Sequence, residues 1–552
     1  MPLMGSLYVG NSGLQSSQNA LNSTAHNMTN TDTVGYVRQQ VQLNDREYNT
    51  LKIDASTVSN SQIGLGAYYS QVRQIRDVFL DQTYREESGR LGFYGTTYSA
   101  MEEVEVLLGE LDGASFQNSI KDLWVAVQEL AKDPGSSVTQ GLLVQRSYAF
   151  LSDAQSVYDG LCSYQDDLNL EIKSTVDKIN DYGNQIWELN EQIRKIETGG
   201  IEKANDLKDT RNRLLDELSG MASISYNTDI DGNVLVKIEG HDFVSPARVL
   251  ELGVQSTEAT GFYEVFWKDD ASYELNNEGR KIYNTDGAKV FDFSLPISTD
   301  LDTDIGSLKA MILARGDHRG NYTDLTDGVD ADGNRVPAEQ KYANISDSVM
   351  MTIQAEFDKM ISSVAKAVNQ VLTDAYASGT GKYMSDGNGG AIQMFHRTTA
   401  DTSVAEDVTR SETLFSVSNM FINQELMQQP SKLGFKKEDG SIDYKSAEKL
   451  KAAFADKNYA LNPSQTNKLC VNDFYSSLVA QVANDGSVYK SIRDNEQITV
   501  DSTEAARQQI IGVSTDEELS NMIRFQNSYN ASSRYINVIS EMLEHLLATL
   551  GV

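Results

Sequence analysis

Five histidines, two cysteines and an excess of carboxylates are the side chains of this chain that could act as acids, bases, nucleophiles or metal ligands. The histidines are scattered, and none stands beside a nucleophile or at a metal-ligand spacing: they are His26, His241, His318, His396 and His545. The signatures of a P-loop, a zinc protease helix, a serine hydrolase elbow and a kinase do not occur in the sequence. We therefore predict no catalytic residues and expect the protein not to be an enzyme.

One acidic loop, GVDADGNRVPAE, has nearly the oxygen spacing of a calcium loop, with Asp330, Asp332 and Glu339 as ligand candidates. Gly328 stands where the first ligand carboxylate is needed, and Pro337 interrupts the loop. A solvated turn is therefore expected here, and no metal or other cofactor is predicted.

The two cysteines, Cys162 and Cys470, are far apart in the sequence and too few for a zinc site. We expect two reduced, partly buried thiols. A disulfide stays open, because the fold could bring the two helical segments together.

The charge balance restricts the partners of this chain. Lys and Arg number 47 against 79 Asp and Glu, a formal net charge of −32. Such a chain repels phosphate backbones and anionic lipid, so neither nucleic acid nor a membrane surface is expected as a partner. No apolar stretch reaches the roughly 18 residues of a membrane span. The first basic residue, Arg38, follows a start that is too polar for a cleaved signal peptide. These features alone favour the cytoplasm.

Long helices are the main predicted elements of this chain, so they must position its functional residues. Proline, which breaks helix interiors, occurs only 7 times. The apolar pattern predicts a helix over 91–132, an almost unbroken helix over 138–196 and a return helix over about 202–220. The second of these would be a rod of roughly 80–90 Å.

Short strands with turn signals are predicted between 222 and 300. Helix returns over 344–378, residues 379–470 mix glycine-rich loops with short helices, and helix then runs to the end with one break near 486–503. The predicted fold class is therefore mainly α, with one or more β-rich inserted domains facing outward and a long helical inner domain.

Both ends of the chain carry apolar residues at intervals of seven, with polar or small residues between them. The N-terminal seam is Leu7, Leu14, Leu21 and Met28, and the C-terminal seam is Met522, Phe525, Tyr529, Ile536, Ile539, Leu543, Leu546 and Leu550. Such narrow stripes are typical of coiled-coil partners. We predict that these residues form the assembly interface and that the terminal helices pair as a coiled coil, with each other or with neighbouring subunits. Two separate amphipathic helices on a core stay open as the alternative.

The order of elements predicts a domain built from both chain ends, with other domains inserted between them. The expected divisions are 1–50 plus 510–552 for a terminal coiled-coil assembly domain, 51–220 plus 344–378 and 470–509 for a helical rod-like domain, 221–343 for a β-rich insert, and 379–469 for a further insert or part of the helical domain.

The N-terminal seam helix ends in a recognisable motif. The segment SGLQSSQNALNSTAHNMTNTDTVGYVRQQ is similar to the N-terminal signature of flagellar axial proteins, whose turn positions here are Asn27, Asn30, Thr33, Gly35 and Tyr36. Asn and Thr side chains can satisfy backbone groups at a helix end, and glycine permits the tight reversal that follows. The C-terminal segment STDEELSNMIRFQNSYNASSRYINVISEMLEHLLATL resembles the partner helix of the same family.

Interior segments narrow the resemblance. DLWVAVQELAKDPGSSVTQGLLVQRSYAF and INDYGNQIWELNEQIRKIETGG resemble segments of the hook-associated junction proteins of this family, and the similarity covers roughly 1–220, 305–380 and 470–552. The resemblance implies a structural subunit between hook and filament, exported through the flagellar type III channel with an uncleaved N-terminus. The implied partners are further copies of the chain in a ring, the hook protein, the second hook-associated junction protein and an export chaperone on the C-terminal helix.

Three other functions stay open. A hook or rod subunit shares the chain ends but should lack the long hairpin over 138–220. An enzyme could be carried in the β-rich insert, and an adhesin is suggested by the match of Arg315-Gly316-Asp317 to a cell-adhesion tripeptide. For the favoured function we expect both seams to be frayed in the free chain and to fold on incorporation, because neither narrow stripe buries enough area to offset chain entropy.

Overall fold

The computed structural model describes residues 2–46, 49–52, 61–109, 116–199, 203–276, 279–329, 334–377, 385, 390–399, 406–407, 410–437 and 439–549. The chain forms two compact units: the first contains 1–91, 178–252 and 496–552, and the second contains 92–177 and 253–495. Both predicted terminal segments lie in the first unit, whereas the predicted β-rich insert has residues in both. The four-part division of the sequence stays a prediction.

The two ends of the chain lie side by side in the first unit. Helix α1 (Pro2–Thr29) packs against α12 (Thr515–Thr549). A Cβ atom at Gly10 would lie 2.5 Å from Ile536 Cγ1, and one at Gly13 would lie 2.5 Å from Ser532 Oγ. The residue number increases along α1 while that of the facing residue on α12 decreases, so the two helices are antiparallel. A supercoiled pairing of these helices stays a prediction.

A narrow β ribbon follows α1. Strand β1 (Gln39–Asp45) pairs antiparallel with β4 (Ala67–Gln74), and β2 (Asn49–Lys52) pairs antiparallel with β3 (Ser61–Ile63). Strand β4 also contacts α1. The ribbon is thus attached to the terminal helix that precedes it.

Helices dominate the next part of the chain, as the sequence predicts. The prediction of one helix over 91–132 was wrong: α2 begins earlier and ends at Leu107, and α3 is a separate helix that ends where the Asp-Pro-Gly break was predicted to stop it. The prediction of one helix over 138–196 is confirmed, because α4 runs for 61 residues, or about 90 Å. The bounds are α2 Val78–Leu107, α3 Phe116–Lys132, α4 Ser137–Glu197 and α5 Asn205–Met221.

Small antiparallel sheets occupy the region where strands are predicted. Strands β5, β6 and β7 form a three-stranded sheet in that order, β8 pairs with β9, and β10 pairs with β11. The bounds are β5 Ile224–Thr228, β6 Val234–Ile238, β7 His241–Val244, β8 Leu252–Ser256, β9 Tyr263–Trp267, β10 Ser272–Leu275 and β11 Lys281–Asn284. The prediction of short strands here is confirmed.

Asparagine side chains of α4 attach these strands to the helix. Asn180 accepts a hydrogen bond from Leu252 N and donates one to Leu252 O, both at 2.9 Å. Asn190 makes the same pair with Val234, at 3.0 and 2.9 Å, and Asn169 accepts a bond from the first backbone N–H of β9 at 2.7 Å. These asparagines are 10 or 11 residues apart, about three helical turns, so they share one side of α4. The side-chain amides of Asn180 and Asn190 therefore pair with the backbone of Leu252 and Val234 as the backbone of a neighbouring strand would.

The second unit has a large apolar core. Phe116 packs its ring against those of Phe150, Phe357 and Tyr475, with centroids 5.2–5.4 Å apart. Further elements of this unit are α6 Ser307–Arg315, β12 Gly328–Val329, β13 Arg335–Val336, α7 Ala338–Ile345, α8 Val349–Ala375, β14 Phe395–Arg397, β15 Met420–Ile422, α9 Gln424–Gln428 and α10 Tyr444–Ala455.

The last long helix, α11 (Val471–Ile511), corrects one prediction. The break expected near 486–503 does not occur there, and the chain instead breaks at 512–514. The helix continues through Gly486, because a single glycine inside a long helix costs only about 1 kcal/mol relative to alanine. A Cβ atom there would make an ordinary contact of 3.8 Å with Met101 Cβ. The true break needs glycine, since a Cβ atom on Gly512 would lie 2.4 Å from Gln508 O.

Candidate assembly interface

The predicted turn motif closes around a buried amide. The Asn27 side chain accepts hydrogen bonds from Gln39 N at 3.0 Å and from the Tyr36 hydroxyl at 2.7 Å, and it donates one to Gln39 O at 2.9 Å. Asn27 therefore fixes the residues that follow the turn to the end of α1.

The other motif residues shape the turn itself. Asn30 donates from its side chain to His26 O at 2.9 Å, and the backbone N–H groups of Thr33 and Tyr36 donate to the carbonyls three residues earlier. Gly35 has φ +80°, a backbone conformation that favours glycine. The structure thus brings all five predicted motif residues into one turn.

The turn is held to α5 by a buried carboxylate that sequence reasoning missed. Asp209 accepts hydrogen bonds from Val37 N at 3.3 Å and from the Gln74 side chain at 2.6 Å. Burial raises the pKa of Asp209 to about 7, although the Val37 N–H and the positive charge of Arg76 favour its ionised form. Burial, together with the charge of Asp209, also raises the pKa of Tyr36.

Arg38, directly after the turn, connects three further elements. Its backbone N–H donates to Ile511 O at the end of α11 at 2.9 Å, and its carbonyl accepts from Ile75 N at 3.0 Å. Its guanidinium reaches the first turn of α12, where Nη1 lies 2.9 Å from Glu517 and Nε lies 2.9 Å from Glu518. The acidic start of α12 is visible in the sequence, but its pairing with a residue 480 positions away is not.

A buried ion network lies beside this junction. Arg507 of α11 and Arg85 of α2 both bind Asp216 of α5, at 2.8 and 2.7 Å. Arg76 makes a two-pronged pair with Asp81, with both distances 2.9 Å. Hydrogen-bonded pairs of this kind fix both the distance and the angle between the elements that carry them. Helices α2, α5 and α11 are therefore joined at the base of the terminal pair.

The predicted seam residues of α1 flank a row of buried small residues, whereas on α12 the seam residue Ile536 faces Gly10 directly. Those that are half-buried are Leu7, Leu14, Leu21, Met28, Met522, Phe525, Ile536 and Leu543. Ile539 is buried, whereas Tyr529 and Leu546 are exposed, and Leu550 lies outside the described residues. The closest approach to α12 is made by Gly10 and Gly13, so small residues carry the contact that the sequence pattern assigned to the leucines.

Part of α12 has apolar residues that α1 leaves exposed. Tyr535, Val538 and Met542 follow a spacing of three and four on the same helix and are 41–52% exposed. Because Gly10 lies opposite Ile536, the start of α1 lies opposite about residue 544. Leu546 and Leu547 therefore extend beyond the described start of α1, and Leu547 is 60% exposed.

The residues considered for chemistry have ordinary surroundings. Cys162 and Cys470 are free thiols, and burial raises the pKa of Cys162 to about 11. Within the described ranges, no group of three or more His, Cys, Asp or Glu is placed to hold a metal ion. Asp330 and Asp332 lie outside those ranges, so the absence of a metal site stays a prediction. No helix among the described residues is long and apolar enough to cross a membrane.

Comparison of the sequence with known protein families identifies the class to which this chain belongs. Residues 509–549 match the family described as flagellar basal body rod FlgEFG protein C-terminal, a family of flagellar proteins. Residues 101–384, just over half of the chain, match the flagellar hook-associated protein FlgK helical domain. The chain therefore belongs to the flagellar hook-associated protein FlgK family, a component of the hook–filament junction. The resemblance predicted from the sequence is confirmed.

Similar proteins extend over nearly the whole chain. Flagellar hook-associated protein 1 of Bacillus subtilis strain 168 is 26% identical over 541 residues, covering 98% of this chain and 97% of that protein. The proteins of that name from Salmonella typhimurium strain LT2 and Escherichia coli K12 are 25% and 23% identical, each covering 97% of this chain and 98% of the relative. The structure of the flagellar hook junction protein FlgK from Burkholderia pseudomallei aligns with a TM-score of 0.40 at 17% identity, covering 57% of this chain and 46% of that one.

Proposed function

We propose that this chain joins the flagellar hook to the filament as a structural subunit and that its paired terminal helices are the assembly element. The observation that carries the proposal is the α1–α12 pair, whose leucine stripe on α1 stays half-exposed. Beside it α12 carries a second, exposed apolar stripe. Apolar stripes of this length on a protein of net charge −32 indicate faces that another molecule covers.

The two stripes differ, so contact between copies would be head-to-tail. In this arrangement the α1 stripe with Leu14 and Leu21 packs against the α12 stripe with Tyr535 and Met542 of the next copy. Interfaces of this kind generate closed rings when the rotation between copies closes. The predicted ring of subunits is therefore consistent with one interface repeated around an axis.

Folding of the chain ends is proposed to be coupled to incorporation. Helix α1 presents glycine and serine to α12, so the pair buries little apolar area for the chain entropy it loses. Hydrogen exchange tests this step: amides of α1 and α12 should exchange far faster than those of α4 in the free chain, and should be protected in assembled flagella. Equal protection of α1, α12 and α4 in the free chain would contradict coupled folding.

The remaining proposals follow from membership of the family. They are export through the flagellar type III channel without a cleaved signal peptide, and binding to the hook protein and to the second hook-associated junction protein. An export chaperone is proposed to cover the C-terminal helix before assembly, and the exposed Leu547 gives it an apolar face to bind.

The alternatives receive less support. Arg315 of the adhesion-like tripeptide is buried and donates to Asn169 Oδ1 at 2.7 Å, so its guanidinium is not presented to a receptor. Family membership favours a hook-associated protein over a hook or rod subunit. That the protein is not an enzyme stays a prediction.

Deletion of the gene tests the proposed function. Electron microscopy of the deletion strain should show complete hooks without filaments, and flagellin should be lost to the medium. Absent hooks would instead favour a hook or rod subunit. Normal, motile flagella would contradict the proposed function.

A further inference from the structure

Packing between α1 and α12 specifies their alignment only in part. Small residues line the α1 side, where Gly10 and Gly13 come closest and Ser17 is buried. Both helices also repeat their apolar residues every seven positions. A slip of seven residues would again place apolar positions opposite each other. It would also place a residue with a Cβ atom where Gly10 meets Ile536 and Gly13 meets Ser532, so these two close contacts favour the observed alignment.

One contact at the base of the pair does not repeat. The Asn27 cluster holds the chain after the turn, and Arg38 is bound there through its own N–H and carbonyl. Its guanidinium then bridges Glu517 and Glu518, and the Glu518 side chain is only 3% exposed. Arg38 is thus a fixed cation that meets a fixed pair of anions on α12.

We infer that Arg38, through Glu518, sets the register of α12 on α1, and that it is the positioning residue of the assembly element. A slip of seven residues moves Glu518 by about 10 Å along the helix axis, out of reach of the guanidinium. The link over 512–514 does not prevent such a slip, because unwinding the first two turns of α12 would release enough chain. Arg38 opposes that unwinding by holding the first turn.

If the proposed function holds, the register of α12 on α1 determines which apolar residues the neighbouring copy contacts. It fixes how far α12 extends beyond α1 and where Tyr535 and Met542 stand beside the α1 stripe. In a slipped subunit the α12 stripe would be displaced along the helix axis and would not align with the α1 stripe of the neighbouring copy. Arg38 would thereby couple correct folding of the chain ends to correct assembly.

Disulfide trapping on the purified full chain tests the inference, with Cys162 and Cys470 replaced by serine throughout. The pair Gly13→Cys and Ser532→Cys reports the observed register, because the Cβ positions are 3.3 Å apart. The pair Ser6→Cys and Ser532→Cys reports a slip of seven residues. Oxidation traps transient encounters, so it reads the register even where the helices fray.

With Arg38 intact, the first pair should form about tenfold more than the second, because the guanidinium pairs with Glu517 and with the buried Glu518 only in the observed register. Arg38→Glu should lower this preference severalfold, and the exchanged variant Arg38→Glu with Glu518→Arg should restore it. The control Arg534→Glu, which reverses a cation on α12 itself, should leave the preference unchanged. Equal yields for both pairs with Arg38 intact, failure of both pairs, or an unchanged preference in Arg38→Glu would overturn the inference. If trapping behaves as expected but Arg38→Glu cells still build filaments, the inference stands and its link to assembly fails.

Discussion

Arg507 and Asp216, which are 291 residues apart in the chain, form a buried ion pair with an Nη2–Oδ2 distance of 2.8 Å. Asp216 also binds Arg85, so one carboxylate serves two buried cations. Removal of one partner from a buried pair leaves an uncompensated charge, which typically costs about 3–5 kcal/mol. Asp216→Asn should therefore lower the free energy of opening of α5 by roughly that amount, measured by hydrogen exchange.

The matched control is the same substitution on the exposed side of the same helix. Asp206 is exposed and accepts a long hydrogen bond of 3.4 Å from the Gln39 side chain. Asp206→Asn should cost less than about 1 kcal/mol. Equal effects of Asp206→Asn and Asp216→Asn would contradict a structural role for the ion network.

The turn motif gives a second prediction. Asn27→Ala removes three hydrogen bonds at a buried site and leaves Gln39 N and O without their partner. We expect a loss of about 2–3 kcal/mol, since unsatisfied buried backbone groups cost about 1–3 kcal/mol each. Thermal unfolding of the first unit would measure it, with Thr29→Ala as a control that removes one exposed local bond. A loss no larger than that of Thr29→Ala would show that the cluster does not hold the turn.

A third prediction concerns the asparagines of α4. Asn180→Asp keeps the acceptor for Leu252 N but places a carboxylate oxygen against Leu252 O, which has lost its donor. We expect a destabilisation of about 2 kcal/mol and faster exchange at β8. Asn184→Asp, one turn further on at an exposed site, should have little effect. Unchanged exchange at β8 in Asn180→Asp would mean that the strands are held by other contacts.

The second unit should lose stability as the pH rises from about 5 to 8. Burial raises the pKa of Glu356, and that of Asp358, to about 7 in the folded chain. A raised folded pKa means that protonation favours the folded state, so this stability is complete below the unfolded pKa and is lost as the pH passes 7. For Glu356 the full change is about 3 kcal/mol, of which about 2 kcal/mol falls between pH 5.5 and 8. Urea unfolding of the full chain at pH 5.5 and 8 would measure it.

Glu356→Gln isolates the contribution of that residue. Hydrogen bonds to Asp317 and Asp324 raise the pKa of His318 to about 10, so His318 also loses stabilising free energy as the pH rises. Unfolding of the unmodified chain therefore does not separate the contribution of Glu356 from that of His318. The variant should reduce the loss of stability between pH 5.5 and 8 by about 2 kcal/mol, and the rest should remain because Asp358 and His318 are still present. Glu171→Gln at an exposed site of α4 should leave the loss unchanged. A dependence of the same slope in Glu356→Gln would contradict the assignment.

Local pattern in the sequence predicts much of this fold. The apolar period between 138 and 196 and the glycines that follow it predict α4 nearly to the residue. The Asn and Gly spacing of the turn motif predicts a turn because those side chains act on backbone close by. The break expected near 486–503 shows where such reasoning fails: α11 continues through Gly486, because one glycine costs a long helix only about 1 kcal/mol.

Long-range pairs are what the sequence does not predict. Arg38 and Glu518 are ordinary charged residues in their own segments, and only the antiparallel pairing of the chain ends brings them together. Asp209 is likewise one of many carboxylates until Val37 and Gln74 close over it. The leucine stripe is evident in the sequence, but its position at the edge of the α1–α12 contact depends on Gly10 and Gly13, which allow the close approach.

The central claim is that the terminal stripes assemble the junction, and complementation of the deletion strain tests it most directly. Leu21→Asp on α1 and Leu543→Asp on α12 put charge into half-buried stripes, while Val125→Asp does so at an exposed site of α3. Electron microscopy should show hooks without filaments for the first two variants and restored filaments for Val125→Asp, with all three purified chains resisting trypsin at their cores. Normal filaments with Leu21→Asp and Leu543→Asp would contradict the account.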